Sequence, residues 1–130
     1  MILKEMLIEA AQKALINAYA PYSNYRVGAS VLAGGKIYTG ANVENAAYGL
    51  TICAEQAAIA AAISDGQREI EGVAVVTAQG EASPCGACRQ IMREFGLDIP
   101  IFSQGADGAI KETSLLDLLP HSFGPSFLRR

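Results

Sequence analysis

The sequence predicts a layered α/β domain built on a mixed sheet. Three observations predict it. Apolar residues recur at helical spacing near the N-terminus. Short apolar runs bounded by glycine and proline read as strands. These runs then alternate with Ala-rich helical stretches instead of clustering together, the pattern that lays helices on sheet faces.

The elements follow in order. Leu3, Leu7, Ala10, Ala11, Ala14, Leu15 and Ala18 repeat at helical spacing and predict a helix over 3–18, with Pro21 as the stop soon after. Val27 to Leu32 reads as a strand, Gly34-Gly35 as a turn, and Lys36 to Gly40 as the returning strand of a hairpin. Asn42 to Thr51 is polar and irregular, with Gly49 as a breaker. The stretch from Cys53 to about Ser64 is rich in Ala and Ile and favours helix, ended by Asp65-Gly66. Val73-Ala74-Val75-Val76 is continuous and apolar, as a strand covered on both faces requires. A loop over Gly80 to Pro84 leads to a second helix, Cys85 to Phe95, stopped by Gly96. Pro100 to Ser103 is a strand, Gly105 to Gly108 a turn into one more strand, and Ser114 caps a short helix through Leu119, closed by Pro120. The tail from His121 to Arg130 reads as irregular.

The 130 residues suit a single domain over 1–130. Hydrophobic residues make up 51% and charged residues 18%, enough apolar material for a core and too little charge for a disordered chain. The net charge is -3, and the basic residues form no run beyond Arg129-Arg130, so a nucleic-acid partner is disfavoured and a small neutral substrate fits. The N-terminal Met1-Ile2-Leu3-Lys4-Glu5 is charged and amphipathic, unlike a signal peptide, and no apolar run has membrane-spanning length; a soluble, cytoplasmic protein with no membrane association is expected. Three cysteines cannot all pair, and in a reducing compartment they point to metal or redox chemistry.

Two local patterns carry that chemistry: Cys53-Ala54-Glu55 and Pro84-Cys85-Gly86-Ala87-Cys88. Each falls where a helix is expected to begin, and a helix N-terminus favours thiolate over thiol. Cys85 and Cys88 are one turn apart and can aim both sulfurs at one point. If the two helix starts face each other, Cys53 completes three ligands with an open fourth position, the arrangement of a catalytic zinc. Glu55 then lies close enough to exchange protons with a water in that position without being a ligand. His121 is the only histidine, and a lone polar residue in a loop is ordinarily just solvated. Two other classes remain open on these residues alone. A structural zinc module needs a fourth protein ligand, and a C-x-x-C redox protein leaves Cys53 and Glu55 without a role.

The conjunction of C-x-E with P-C-x-x-C matches the zinc deaminase signature, with Cys in place of His. With Ala20-Pro21-Tyr22-Ser23, Asn42-Val43-Glu44-Asn45-Ala46, Ser83-Pro84-Cys85-Gly86-Ala87-Cys88-Arg89-Gln90 and Leu118-Leu119-Pro120, the chain resembles the cytidine deaminase family in its small homotetrameric, three-cysteine branch. The resemblance implies a three-layer α-β-α domain with a mixed five-stranded sheet. It implies one zinc per chain on Cys53, Cys85 and Cys88, with Glu55 as the catalytic acid–base. Substrate contacts are implied at Asn42, Glu44, Tyr25 and Ala54, with Phe123 reaching a neighbouring subunit's site. The implied activity is deamination of cytidine and 2′-deoxycytidine in pyrimidine salvage, with a modified cytidine or other aminopyrimidine nucleoside as the alternative substrate. Many relatives of this branch carry Arg where Gln56 stands, so the negative charge of three thiolates is expected to be offset by the helix N-termini, Arg89 and an N–H from Gln56.

Overall fold

Every residue of Gly72–Thr77 is buried, so this strand has protein on both faces. The computed structural model describes residues 3–128; what was expected of Met1, Ile2, Arg129 and Arg130 lies outside the described residues. In chain order the elements are helix α1 (Leu3–Leu15), strands β1 (Val27–Ala33) and β2 (Lys36–Ala41), helix α2 (Ala54–Ser64), strand β3 (Gly72–Thr77), helix α3 (Gly86–Arg93), strands β4 (Pro100–Gln104) and β5 (Ile110–Ser114), and the short helix α4 (Leu115–Leu118). Single 3-10 turns occur at Tyr48–Leu50 and Pro125–Phe127, the latter in the tail expected to be irregular.

The strands form one mixed sheet in the order β2-β1-β3-β4-β5. β1 is antiparallel to both β2 and β3, β3 and β4 are parallel, and β5 returns antiparallel to β4. The parallel step needs a crossover, which α3 supplies.

Side-chain alternation divides the core in two. Ala29, Val31, Ala33, Val73, Val75 and Ile101 face the layer of α2 and α3, packing with Ala54, Ala58, Ile59, Cys88 and Met92. Ala74, Val76 and Phe102 face the opposite way, onto Leu7, Ile8 and Ala11 of α1. The result is the three-layer α-β-α domain with a five-stranded mixed sheet.

Two glycines let the helices come close. A Cβ at Gly28 would lie 2.1 Å from the Ala11 carbonyl oxygen of α1, and one at Gly40 would lie 2.6 Å from both the Ala54 carbonyl oxygen and the Ala58 nitrogen of α2. Gly40 therefore sets how near the start of α2 approaches the sheet. Ser30, buried on the α1 side, donates its hydroxyl to the Leu7 carbonyl at 2.6 Å.

Two helices end earlier than the apolar spacing suggests. α1 stops at Leu15 instead of continuing to Ala18. There the bonding tightens to Asn17 N–H on Ala14 and Ala18 N–H on Leu15, and Tyr19 extends to donate to the Asn42 carbonyl. α3 stops at Arg93 because Glu94 and Phe95 donate to Ile91 and Met92 in a tight last turn, and the Phe95 carbonyl accepts from Ile70. In both cases a partner across the fold, invisible to a periodicity, claims the backbone.

Candidate active site

Cys53 and Cys85 are the N-cap residues of α2 and α3, each with extended backbone dihedrals. The capping position matters because it leaves the side chain beside the unpaired N–H groups of the first helical turn. Cys53 is fixed there by its own backbone N–H, which donates to Gln56 Oε1 at 3.0 Å. Cys88 follows on the first turn of α3 and is fully buried.

The three sulfurs come together. Their ligand atoms all lie within 4.8 Å of one another, and among the described residues no fourth protein ligand joins them. His121 sits apart, exposed and at φ 52° in the segment after α4.

The electrostatics of the cluster call for a cation. Burial pushes the Cys88 thiol far up, and the negative charges of Glu55 and Cys53 push the same way. Burial also raises Cys53. Burial would raise Cys85 too, but the N–H groups of Cys88 and Ala87 and the neighbouring thiols hold it below the ordinary thiol range. Three sulfurs and a carboxylate cannot share this place as anions unless positive charge stands among them. A zinc ion supplies that charge, is matched by a soft thiolate donor set, and bonds sulfur at about 2.3 Å. The residues present fit it.

Glu55 is 4% exposed, on the first turn of α2. Burial raises its pKa, while its own N–H and the adjacent Cys88 thiol act in the opposite direction. It lines a pocket of about 240 Å³ together with Cys53, Cys85, Ala54, Asn42, Glu44 and Tyr25. All the sequence-predicted groups except Cys88, buried behind the wall, and Phe123 therefore meet at one cavity.

The pocket wall is bonded to itself in detail. Asn42 Oδ1 accepts from the Val27 N–H at 2.9 Å, and its Nδ2 donates to the Tyr25 carbonyl at 2.7 Å. Glu44 Oε1 accepts from the N–H groups of Tyr22 and Ser23 at 2.9 and 3.1 Å, and its Oε2 accepts from the Ser23 hydroxyl. The Ser23 bond holds the Glu44 carboxyl below the ordinary range against a partial opposing effect of burial. Tyr25 donates its hydroxyl to the Glu81 carbonyl at 3.0 Å, joining the wall to the loop before Cys85. Arg89 binds that same loop: its Nε donates to Pro84 O at 2.8 Å, Nη1 to Leu118 O at 3.0 Å and Nη2 to Ser83 Oγ at 3.2 Å.

Phe123 does not line its own chain's pocket. It is 55% exposed, and its ring meets Phe127 with centroids 5.1 Å apart. The sequence reading also missed Ser23, Thr51 and Ser83, which line the pocket. Ser23 and Ser83 stand inside the quoted motifs, next to the residues singled out; Thr51 has no local signal at all.

Comparison with known proteins agrees with this geometry. Residues 1–103 match the model of the cytidine and deoxycytidylate deaminase zinc-binding region. A cytidine deaminase of Sporosarcina psychrophila is 47% identical over 122 residues, 92% of this chain and 90% of that protein. One of Mycobacterium tuberculosis is 41% identical over 127 residues, 96% of this chain and 92% of its own. The crystal structure of cytidine deaminase from Burkholderia pseudomallei superposes with a TM-score of 0.87 at 44% identity, covering 95% of this chain and all of that one (100%). The converging thiols and the buried glutamate thus sit in a sequence that agrees along almost its whole length, and the chain belongs to the cytidine and deoxycytidylate deaminase zinc-binding family.

Proposed function

We propose that the protein is a zinc-dependent cytidine deaminase, converting cytidine and 2′-deoxycytidine to uridine and deoxyuridine with release of ammonia. One observation carries this reading: three sulfurs converge on one point, without a fourth protein ligand among the described residues, at a pocket that also holds a buried glutamate. A structural zinc module would fill the fourth position with protein, and a redox pair would need only two of the thiols.

Cys53, Cys85 and Cys88 would hold the ion. Bound there, zinc offers a coordination position to water and lowers that water's pKa toward neutrality. Glu55 takes a proton from the attacking water and hands it to the ring nitrogen beside the carbon that bears the amine. As the carbon–nitrogen bond breaks, Glu55 delivers the second proton to the amine, which leaves as ammonia. Water supplies the oxygen of the new carbonyl, so atoms balance without a further reagent. Asn42 and Glu44 receive the sugar, Tyr25 and Ala54 bound the base, and its burial keeps Glu55 largely out of bulk water.

The unit of function is the single domain of residues 1–130, assembled as a homotetramer with each active site near a subunit interface. Support for assembly comes from the apolar side chains left exposed beside the pocket, among them Tyr48, Leu50 and Ile52, and from the outward-facing Phe123. A place in pyrimidine salvage, in the cytoplasm, suits a site made of free thiols, which a reducing compartment preserves. Among the described residues no helix is long and apolar enough to cross a membrane. Fractionation of the source cells followed by an assay for cytidine deamination tests the location.

The test of the activity is Glu55→Gln. Metal analysis should still find about one zinc per chain, while ammonia release from cytidine falls about 100- to 10,000-fold. Near-normal turnover would remove Glu55 from the reaction.

A further inference from the structure

Ser23 stands where the pocket wall meets solvent, in the turn between α1 and β1. Its hydroxyl has one proton and two acceptor sites. The Tyr25 N–H donates to Ser23 Oγ at 2.9 Å, so one acceptor site is filled from the backbone. The single proton goes to Glu44 Oε2. The direction of this bond is fixed: an ionised carboxylate only accepts, and a backbone N–H only donates.

The backbone of Glu44 is held from the other side. Its N–H donates to the Tyr19 carbonyl at 2.8 Å, and the preceding Val43 exchanges bonds of 2.9 Å with Ile52. The carboxylate then accepts two backbone N–H groups on Oε1 and the Ser23 hydroxyl on Oε2. A carboxylate has about four acceptor sites. Three are occupied by residues 22 and 23, and the one left is on Oε2, the oxygen whose orientation Ser23 controls.

From this we infer that Ser23 is the positioning residue that presents the remaining Glu44 acceptor site to one sugar hydroxyl of the bound nucleoside. The inference rests on the reading that Glu44 receives the sugar. Ser23 has no contact with the reacting atoms; it acts through Glu44, so it sets binding and leaves the chemical step to Glu55.

The experiment compares cytidine with 2′,3′-dideoxycytidine, which lacks both ring hydroxyls, in wild type, Ser23→Ala, Ser23→Thr and Glu44→Ala. Ser23→Ala should raise KM for cytidine about tenfold, as loss of one hydrogen bond to a charged group typically does, with kcat within about twofold. Its KM for the dideoxy substrate should not change, and Ser23→Thr, which keeps the hydroxyl, should restore the cytidine value. An equal rise in KM for both substrates, a fall in kcat alone, or no change in Ser23→Ala overturns the assignment. Glu44→Ala separates the two levels. If it raises KM for cytidine selectively and Ser23→Ala does not, only the Ser23 role fails; if it discriminates neither substrate, the sugar reading of Glu44 fails. Zinc content and the thermal midpoint verify folding, and should Ser23→Ala not fold, Ser23→Cys gives the same comparison with a weak donor of similar size.

Discussion

Asn42 commits Oδ1 to the Val27 N–H and one Nδ2 proton to the Tyr25 carbonyl, and still faces the pocket with one N–H and one lone pair to spare. One side chain thus has the capacity both to hold the backbone and to meet a ligand. Arg89 resolves differently. Its three bonds run to the Pro84 and Leu118 carbonyls and the Ser83 hydroxyl, so the guanidinium fastens the turn that carries Cys85 to the C-terminal end of α4. The guanidinium keeps its positive charge in these bonds, so the geometry adds a holding role beside Cys85 to the charge compensation expected of it. Arg89→Ala is therefore expected to weaken zinc binding about 10- to 100-fold, the usual cost of losing an outer partner of a metal ligand. Arg89→Lys should recover only part of this, because an ammonium cannot span three acceptors in a planar fork. Competition against a chromophoric chelator measures both, and unchanged zinc affinity in Arg89→Ala would refute the holding role. Gln56 is likewise tied down, its Oε1 accepting the Cys53 N–H.

The start of α2 carries Cys53 at its cap and Glu55 on its first turn, and it rests on β2 at Gly40. A methyl group there would meet backbone of α2 at 2.6 Å, which a side-chain rotation cannot relieve. Gly40→Ala should destabilise the fold by about 1–3 kcal/mol, as overpacking of a tight site does, and should also lower kcat by moving α2 relative to α3. Gly28→Ala is the matched control. Its Cβ would meet α1 at 2.1 Å on the opposite face of the sheet, so it should cost stability while leaving the zinc affinity of the folded fraction near wild type. Urea denaturation and zinc titration of both variants check the contrast; equal loss of zinc affinity in the two would show that the faces are not separable. The helix ends teach a related point. Apolar spacing carried α1 on to Ala18 and α3 on to Phe95, yet Tyr19 joins Asn42 and Phe95 joins Ile70, and these distant partners end the helices.

The order of strands and helices along the chain was enough to yield a mixed sheet between helical layers, and the assembled molecule is that. Its surface is less self-sufficient. Tyr48 is 75% exposed, and Leu50 and Leu128 are nearly as open. Burying such side chains between subunits is the physical incentive to associate. Light scattering at micromolar concentration should give four times the 13.6 kDa mass of one chain. A stable species of one chain mass would overturn the proposed tetramer and leave Phe123 without a site to reach.

The local code carried the strands, the helix starts and the three thiols that converge, because caps, alternation and the C-x-x-C turn act over a few residues. Cys53 with Cys85, Glu44 with Ser23, and Arg89 with Leu118 are different in kind: each pair is distant in sequence, and only the packing of α2 and α3 on one sheet face, with the residues 22–26 folded across the end of β2, brings it within bonding distance. A chain pattern specifies which groups exist and on which face they stand; the bonds that hold Asn42 and Glu44 in place and leave part of each free for a ligand depend on where separate elements dock.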